Sequence, residues 1–363
     1  MILNINLKHP KMFDKTNKLH LFLASFGVFL CSTATTIIIP IYVESFKNGS
    51  KQSNPYFVLF ISTFFFTVFY MSYGFLKFGK QMFVKLEFQW YFFLVGILCA
   101  LYELLVIYSG PASRVPPNLR GILTQLMIPI TFLCSWLIKK ENLIKTQIIG
   151  SIIVSIGVVI SLIPIIISLI SNDMQFTFDN LVWCFILIMG YFGGALVNIY
   201  EDYLFKKFQE INMFILLAWS CLYQFLLICA LFWFDFVPWF GISKSIDDWY
   251  GDFIYGFQCS FDMNVCKNTW FLMIIYFAIS IAFYFAIITV LKYISANYYI
   301  LLMSIVSPFS VTFWIIFPEL SNVINSTINI VFNYIAVIIV LIGIIIYVKD
   351  AEPLLSFDND SNV

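Results

Sequence analysis

Ten stretches of mostly apolar residues dominate this chain, each long enough as a helix to cross the roughly 30 Å hydrocarbon core of a bilayer. They run Leu19–Glu44, Tyr56–Phe75, Phe88–Ser109, Asn118–Ile138, Gln147–Ile170, Phe178–Tyr200, Asn212–Phe240, Trp270–Ile294, Asn297–Phe317 and Ile328–Val348. Only 11% of the 363 residues are charged, against roughly 25% in an ordinary soluble domain. With 61% apolar residues, 42 of all residues being Phe, a water-soluble fold of this length could not hide its apolar surface. Disorder is excluded because disordered chains are poor in aromatics and rich in charge. The 20 basic residues balance the 20 acidic ones, so there is no basic face for nucleic acid. The expectation is an all-α polytopic membrane protein whose main partner is the lipid bilayer.

The spans leave room for little else. Residues 1–18 read as an N-terminal segment, 19–348 as the membrane domain with halves 19–170 and 178–348, and 349–363 as an acidic tail. The longest connection, 241–269, is polar and is expected to hold at most a short amphipathic helix. The first apolar run is too long for a cleavable signal peptide and lacks a small-residue cleavage site, so it is expected to insert as its own signal. Sidedness follows from the Lys/Arg bias of short loops. With the N-terminus cytosolic, fourteen fall on that side: Lys8, Lys11, Lys15, Lys18, Lys77, Lys80, Lys85, Lys139, Lys140, Lys145, Lys206, Lys207, Lys292 and Lys349. Six fall opposite: Lys47, Lys51, Arg114, Arg120, Lys244 and Lys267. Both termini are therefore expected in the cytosol.

Ten spans invite a search for a five-plus-five duplication. Placing Pro129 of span 4 over Pro308 of span 9 sets Ile122-Leu123 on Leu301-Leu302 and Gln125 on Ser304. Ile156-Gly157-Val158-Val159-Ile160 in span 5 matches Ile342-Gly343-Ile344-Ile345-Ile346 in span 10. An odd number of spans per half makes the two halves inverted repeats. Pro129 and Pro308 read either as tolerated kinks or as prolines that free a carbonyl and bend a helix lining a central cavity.

Polar residues within the spans need a reason, since an ionisable group there costs about 2.5–3.5 kcal/mol on insertion scales. Glu103 is the clearest, about one and a half turns from the end of span 3. It reads either as a proton-coupling carboxyl or as a neutral, hydrogen-bonded one. Span 1 carries the small polar tract Cys31-Ser32-Thr33-Ala34-Thr35-Thr36, which either packs closely on a neighbour or faces a water-filled cavity. Ser304, Ser307, Ser310 and Thr312 in span 9 and Thr124, Gln125 and Thr131 in span 4 repeat the pattern. Thr33, Thr35, Thr36, Gln125, Pro129, Ser304, Ser307 and Pro308 are therefore candidate cavity residues.

Other chemistry finds no support. The two histidines, His9 and His20, make no metal cluster, and there is neither a phosphate-cradling glycine loop nor a nucleophile elbow. The reading is not an enzyme, with no cofactor and no metal. Cys31, Cys99, Cys134, Cys184, Cys221 and Cys229 lie in spans, while Cys259 and Cys266 share the long loop. A lumen equivalent to the cell exterior permits a bridge between those two. Asn48-Gly49-Ser50 and Asn325-Ser326-Thr327 match glycosylation acceptors close to span ends. Asp350, four positions before Leu354-Leu355, resembles a dileucine signal read by sorting adaptors.

The polar residues carry a family resemblance. Asn198-Ile-Tyr-Glu-Asp202-Tyr-Leu-Phe205-Lys206-Lys207 closes span 6, and Arg114–Asn118 leads to Gln125-Leu126-Met127-Ile128-Pro129. Gly256-Phe257-Gln258-Cys259 precedes Cys266-Lys267-Asn268-Thr269-Trp270. Together these resemble the chloroquine-resistance-transporter-like family of the drug/metabolite transporter superfamily. The resemblance implies ten transmembrane helices as two inverted five-helix repeats around a central cavity, opening alternately to either side. It also implies transport of amino acids, short peptides, glutathione-like thiols or cationic drugs across vacuolar, lysosomal or plastid membranes, often with protons. Asp202 falls on a family acid and Asn198 on the family's Asn. Glu103 falls on none, and the family's charge-determining position in span 1 meets the neutral tract Thr33–Thr36 here. The best-known members have two disulfides in the long loop, where this chain has cysteines for one.

The expected function is export of small organic solutes from an acidic vacuole or lysosome by proton-coupled alternating access, with Glu103 or Asp202 titrating. A nucleotide-sugar or sugar-phosphate exchanger is the alternative transporter, and it calls for Lys/Arg in the cavity, whereas every Lys/Arg is placed at or beyond a span end. A non-transporting scaffold or receptor is the alternative of another class.

Overall fold

The computed structural model describes residues 15–48, 51–52, 55–83, 86–139, 145–170, 177–208, 211–294, 296–321 and 327–348. Its helices are α1 (Lys15–Glu44), α2 (Pro55–Phe78), α3 (Leu86–Tyr108), α4 (Pro117–Leu123), α5 (Met127–Lys139), α6 (Lys145–Ile170), α7 (Phe178–Lys207), α8 (Met213–Ala230), α9 (Ile246–Phe261), α10 (Thr269–Tyr293), α11 (Ala296–Ile316) and α12 (Thr327–Val348). A two-residue β-ladder pairs Lys47–Asn48 with Lys51–Gln52 in the turn after α1. Among the described residues, ten helices are long and apolar enough to cross a membrane. The fourth joins α4 to α5 through a 3₁₀ turn at Thr124–Leu126, which carries Gln125. The side on which α1 begins and α12 ends is called the terminal face below, and the opposite side, with the 241–269 connection, the loop face.

Helix pairing positions everything else. α1 packs on α10 and α11, as α7 packs on α3 and α5. α6 and α12 form a tight antiparallel pair. A Cβ added at Gly150 would stand 2.7 Å from the carbonyl oxygen of Gly343, and one at Gly157 would stand 3.1 Å from that of Ala336. Only glycine lets two backbones come this close, the usual solution where lipid gives helices no hydrophobic reason to associate.

Three boundaries depart from expectation. α7 does not stop at Tyr200 but continues to Lys207, because Glu201 and Asp202 point into protein and the helix's last lysine snorkels: the Lys207 ammonium lies over the rings of Tyr91, Tyr203 and Phe208. Span 7 does not reach Phe240. α8 ends at Ala230, about 27 Å of helix at 1.5 Å per residue, and the chain folds back through a 3₁₀ turn at Phe232–Phe236. Asp235 enforces this, since its carboxylate is fully buried against polar partners rather than lipid. The long connection holds more than a short helix: α9 runs for 16 residues. Ser245 caps it through the Asp248 N–H, and Trp249, Phe253 and Phe257 seat it on Tyr56 and Phe57 of α2.

Candidate functional site

A cavity opens between α3, α7, α8, α10 and α11 in the half of the bundle toward the terminal face. Its walls include Cys99, Tyr102, Asn198, Glu201, Gln224, Tyr284 and Tyr299. Room for water-sized spheres is about 80 Å³, a handful of waters at roughly 10–15 Å³ each.

The α7 wall is a helical stripe. Gly194, Val197, Asn198 and Glu201 recur at three- and four-residue spacing and all face the cavity. Glu201 is 6% exposed and has neither a hydrogen bond nor an ion pair with any described residue. Its charge acts on Cys99 and Cys221 and on Tyr299 across the space. Glu103 comes to the same interior from α3. It is half-buried, its Oε1 accepts from the Tyr284 hydroxyl, and Gln224 flanks it. No Lys, Arg or His is among the described lining residues. The site is thus two carboxyls, three tyrosines and amide groups, suited to a cationic or amine-bearing guest through charge and ring faces.

The structure distributes the sequence candidates unevenly. Asn198 lines the cavity. Asp202, one residue beyond Glu201 and so rotated about 100° round the helix, is fully buried and paired to Lys206 Nζ at 3.3 Å. The Thr33 hydroxyl donates to Phe29 O, and Thr35 and Thr36 both donate to Ser32 O, while the Ser32 hydroxyl meets Met303 Sδ of α11 at 3.0 Å. Span 1's polar tract is therefore spent on its own backbone and on helix packing, and none of its residues is among those lining this cavity. Gln125 and Ser307 are buried with Oε1 and Oγ unpartnered among the described residues, near the crossing of α4 and α11, where Gly121 touches Ser310. Pro129 begins α5 and Pro308 sits within α11. Ser304 and Asn48 lie on described backbone, but their side chains are outside the described set, as are Asn325, Asp350, Leu354 and Leu355 altogether.

Sequence reasoning missed Glu201, Gln224 and Tyr284. The Glu201–Asp202 pair was visible as two acids, but which one faces inward depends on helix phase against neighbours. Arg120 lies at the start of the fourth span, as the sequence places it. It is 2% exposed there, and its Nη2 donates to Val106 O at the end of α3, where a cation complements the helix dipole.

The loop face is closed over the cavity by a dense polar cap. Arg114 donates to Tyr108 O at 2.6 Å and to Phe240 O at 3.1 Å, and its guanidinium lies 3.8 Å from the Trp183 ring centre. Asp235 accepts from the Tyr108 hydroxyl at 3.0 Å and the Ser243 hydroxyl at 2.5 Å. Asn180, which completes a capping box with Thr177 at the start of α7, also donates to Ser113 O and Arg114 O. Burial pulls the Arg114 guanidinium down to about 10, partly countered by Tyr108 and Asp235, so it stays charged at neutral pH. Gly241 is obligatory here: a Cβ would lie 1.8 Å from Asp235 O. Beside the cap, Cys259 and Cys266 form a disulfide, and Thr269 donates to Ser45 O at the end of α1. Among the described residues no group of three or more His, Cys, Asp or Glu could hold a metal ion.

Ten described helices long and apolar enough to cross a membrane, packed around an interior cavity, define a multi-span membrane protein. Residues 21–244 match the family described as CRT-like, chloroquine-resistance transporter-like, and the chain belongs to that family. It is 26% identical over 238 residues to Crt homolog 3 of Dictyostelium discoideum, covering 58% of this chain and 48% of the homolog. Crt homolog 1 of the same organism is 26% identical over 237 residues, covering 57% and 48%. The chain spans about half the length of these curated relatives. A solved protein crystal structure shares the fold at a TM-score of 0.53 and 14% identity, covering 93% of this chain and 99% of that one.

Proposed function

We propose that this protein is a secondary transporter that carries small amine-bearing or cationic organic solutes across a vacuolar or endolysosomal membrane. Amino acids, short peptides, glutathione-like thiols and cationic drugs are the classes to test, moved from an acidic lumen to the cytosol with protons. One observation carries the reading: Glu201, unpartnered among the described residues and nine-tenths buried, lines a cavity in the half of the bundle toward the terminal face. An isolated buried acid is costly unless something binds it, and a solute cation or a proton answers that cost.

Two inverted five-helix halves rocking about the cavity account for access from both faces. The span 5–span 10 alignment supports this: shifting residues 150 and 157 by 186 gives 336 and 343. The Gly150–Gly343 contact therefore maps onto the Gly157–Ala336 contact. The disulfide in the long connection and the Lys/Arg sorting favour a luminal loop face and cytosolic termini. A nucleotide-sugar or sugar-phosphate exchanger fits less well, because the described lining offers the Glu201 carboxyl and no basic group to a phosphate. A scaffold would have no use for an unpaired interior acid. The C-terminal dileucine match is proposed as a sorting-adaptor contact.

The test is purified protein in liposomes, screened with the four solute classes at two luminal pH values. Saturable uptake of one class, raised by an inward-acid gradient and abolished in Glu201→Gln, is the expected result. No flux of any class would overturn the reading.

A further inference from the structure

We infer that the two interior carboxyls divide the work, Glu103 holding the transported proton and Glu201 the solute, with Tyr284 as the positioning residue that keeps them apart. The inference rests on the transporter reading and assigns roles within its site.

The two acids have unequal surroundings. Glu201 has no partner among the described residues and opens directly onto the cavity, so a cationic group can reach it without displacing anything. Glu103 is already engaged: the Tyr284 hydroxyl donates to its Oε1. Glu103 is not among the residues that line the cavity, whereas Tyr284 is, so a solute ammonium in the cavity meets the tyrosine there, and a proton can still add at the carboxylate's remaining acceptor sites. The groups within electrostatic reach of Glu103 are Cys99 and Tyr102 on its own helix, Cys221 on α8, and Tyr276 and Tyr284 on α10. Arg120 of α4 acts on Tyr102 and Tyr276 rather than on Glu103. No basic side chain of the described set therefore fixes Glu103 as a permanent anion.

Tyr284 gives the proton a way to be felt by the solute. It belongs both to the Glu103 hydrogen bond and to the cavity wall. When Glu103 is ionised, it can only accept, and the tyrosine proton is committed to it. When Glu103 gains one proton, its new O–H can donate to the tyrosine oxygen, and the tyrosine proton is free to turn toward the cavity. One proton is bound and no other bond is made or broken. The cavity gains a donor in one state that it lacks in the other, which is the differential interaction that coupling requires.

The full chain, reconstituted in lipid without solute, is titrated by infrared difference spectroscopy of carboxyl groups from neutral to acid pH. The expected wild-type result is a protonated-carboxyl band that Glu103→Gln removes and Glu201→Gln retains. Tyr284→Phe, which keeps the ring but loses the donor to the carboxylate, is expected to move the band's midpoint upward by about one pH unit, the size of one hydrogen bond to a charged group. A band lost in Glu201→Gln but kept in Glu103→Gln, an unmoved midpoint in Tyr284→Phe, or no titrating band at all would each overturn the division of labour. None of these outcomes touches the transporter reading, which stands or falls on solute flux. If Glu103→Gln does not fold, the Tyr284→Phe midpoint and Glu201→Gln band still decide the matter.

Discussion

The polar cap at the loop face and Glu201 in the cavity treat charge in opposite ways. At the loop face, Arg114 and Asp235 are both held by named partners at ordinary hydrogen-bond distances. In the cavity, Glu201 has no such partner among the described residues. A satisfied network fixes one arrangement of the chain, and an unsatisfied group stores a demand that a mobile species can meet. The cap is therefore read as structure that must hold in this conformation, and the cavity as chemistry waiting for a guest.

That contrast can be broken by substitution. Glu201→Gln should reduce solute flux by tenfold or more, equivalent to about 1.4 kcal/mol, while thermal stability in detergent holds or rises. A lowered melting temperature with unchanged flux would mean that Glu201 is structural. In the cap the pattern should reverse. Arg114→Ala strands two carbonyls and uncovers Trp183, and should destabilise the protein by about 2–4 kcal/mol, read as a fall in melting temperature. Arg114→Lys should recover only part of this, since an ammonium cannot reproduce the planar fork and the ring contact together. Tyr108→Phe removes a single donor from Asp235 and should cost about 1–3 kcal/mol, with the solute preference unaltered. If it changed which solute is carried, cap and cavity would not be separable.

The smallest effect concerns Asp252 on α9, outside the spans. Burial, and then the charges of Asp235 and Asp248, raise its carboxyl above the usual range. An acid whose value is raised on folding adds stability while protonated in both states, and that stability fades as pH climbs through the folded value. Asp252→Asn should therefore stabilise the loop face slightly at neutral pH and make no difference at strongly acid pH. Proteolysis of the loop at the two pH values would measure it, and equal protection of both forms at neutral pH would contradict the expectation.

How much of this could be read from sequence follows from the range of the forces. The ten spans were legible because bilayer thickness sets a minimum apolar length, which composition records directly. The end of span 7 was not, because the turn at Phe232–Phe236 depends on Asp235 finding Tyr108, 127 residues away. Glu103 was legible as a lone acid in an apolar run. Glu201 was not, since adjacent acids near a span end look alike until neighbouring helices decide which one faces inward. Arg120 was legible as a span-end cation, but its burial against the end of α3 was not, because that depends on Val106 O, fourteen residues away.

The glycine contacts between α6 and α12 have a practical consequence. With backbone carbonyls lodged where side chains would otherwise be, this contact between one helix of each half is the natural pivot for any rocking, a keel against which the other described spans can be measured. Paired spectroscopic labels on the outward faces of α6 and α12 should give one sharp, solute-independent distance. A label on that keel paired with one on α1 or α7 would turn any rocking of the bundle into a distance that changes, with the ruler itself built into the protein.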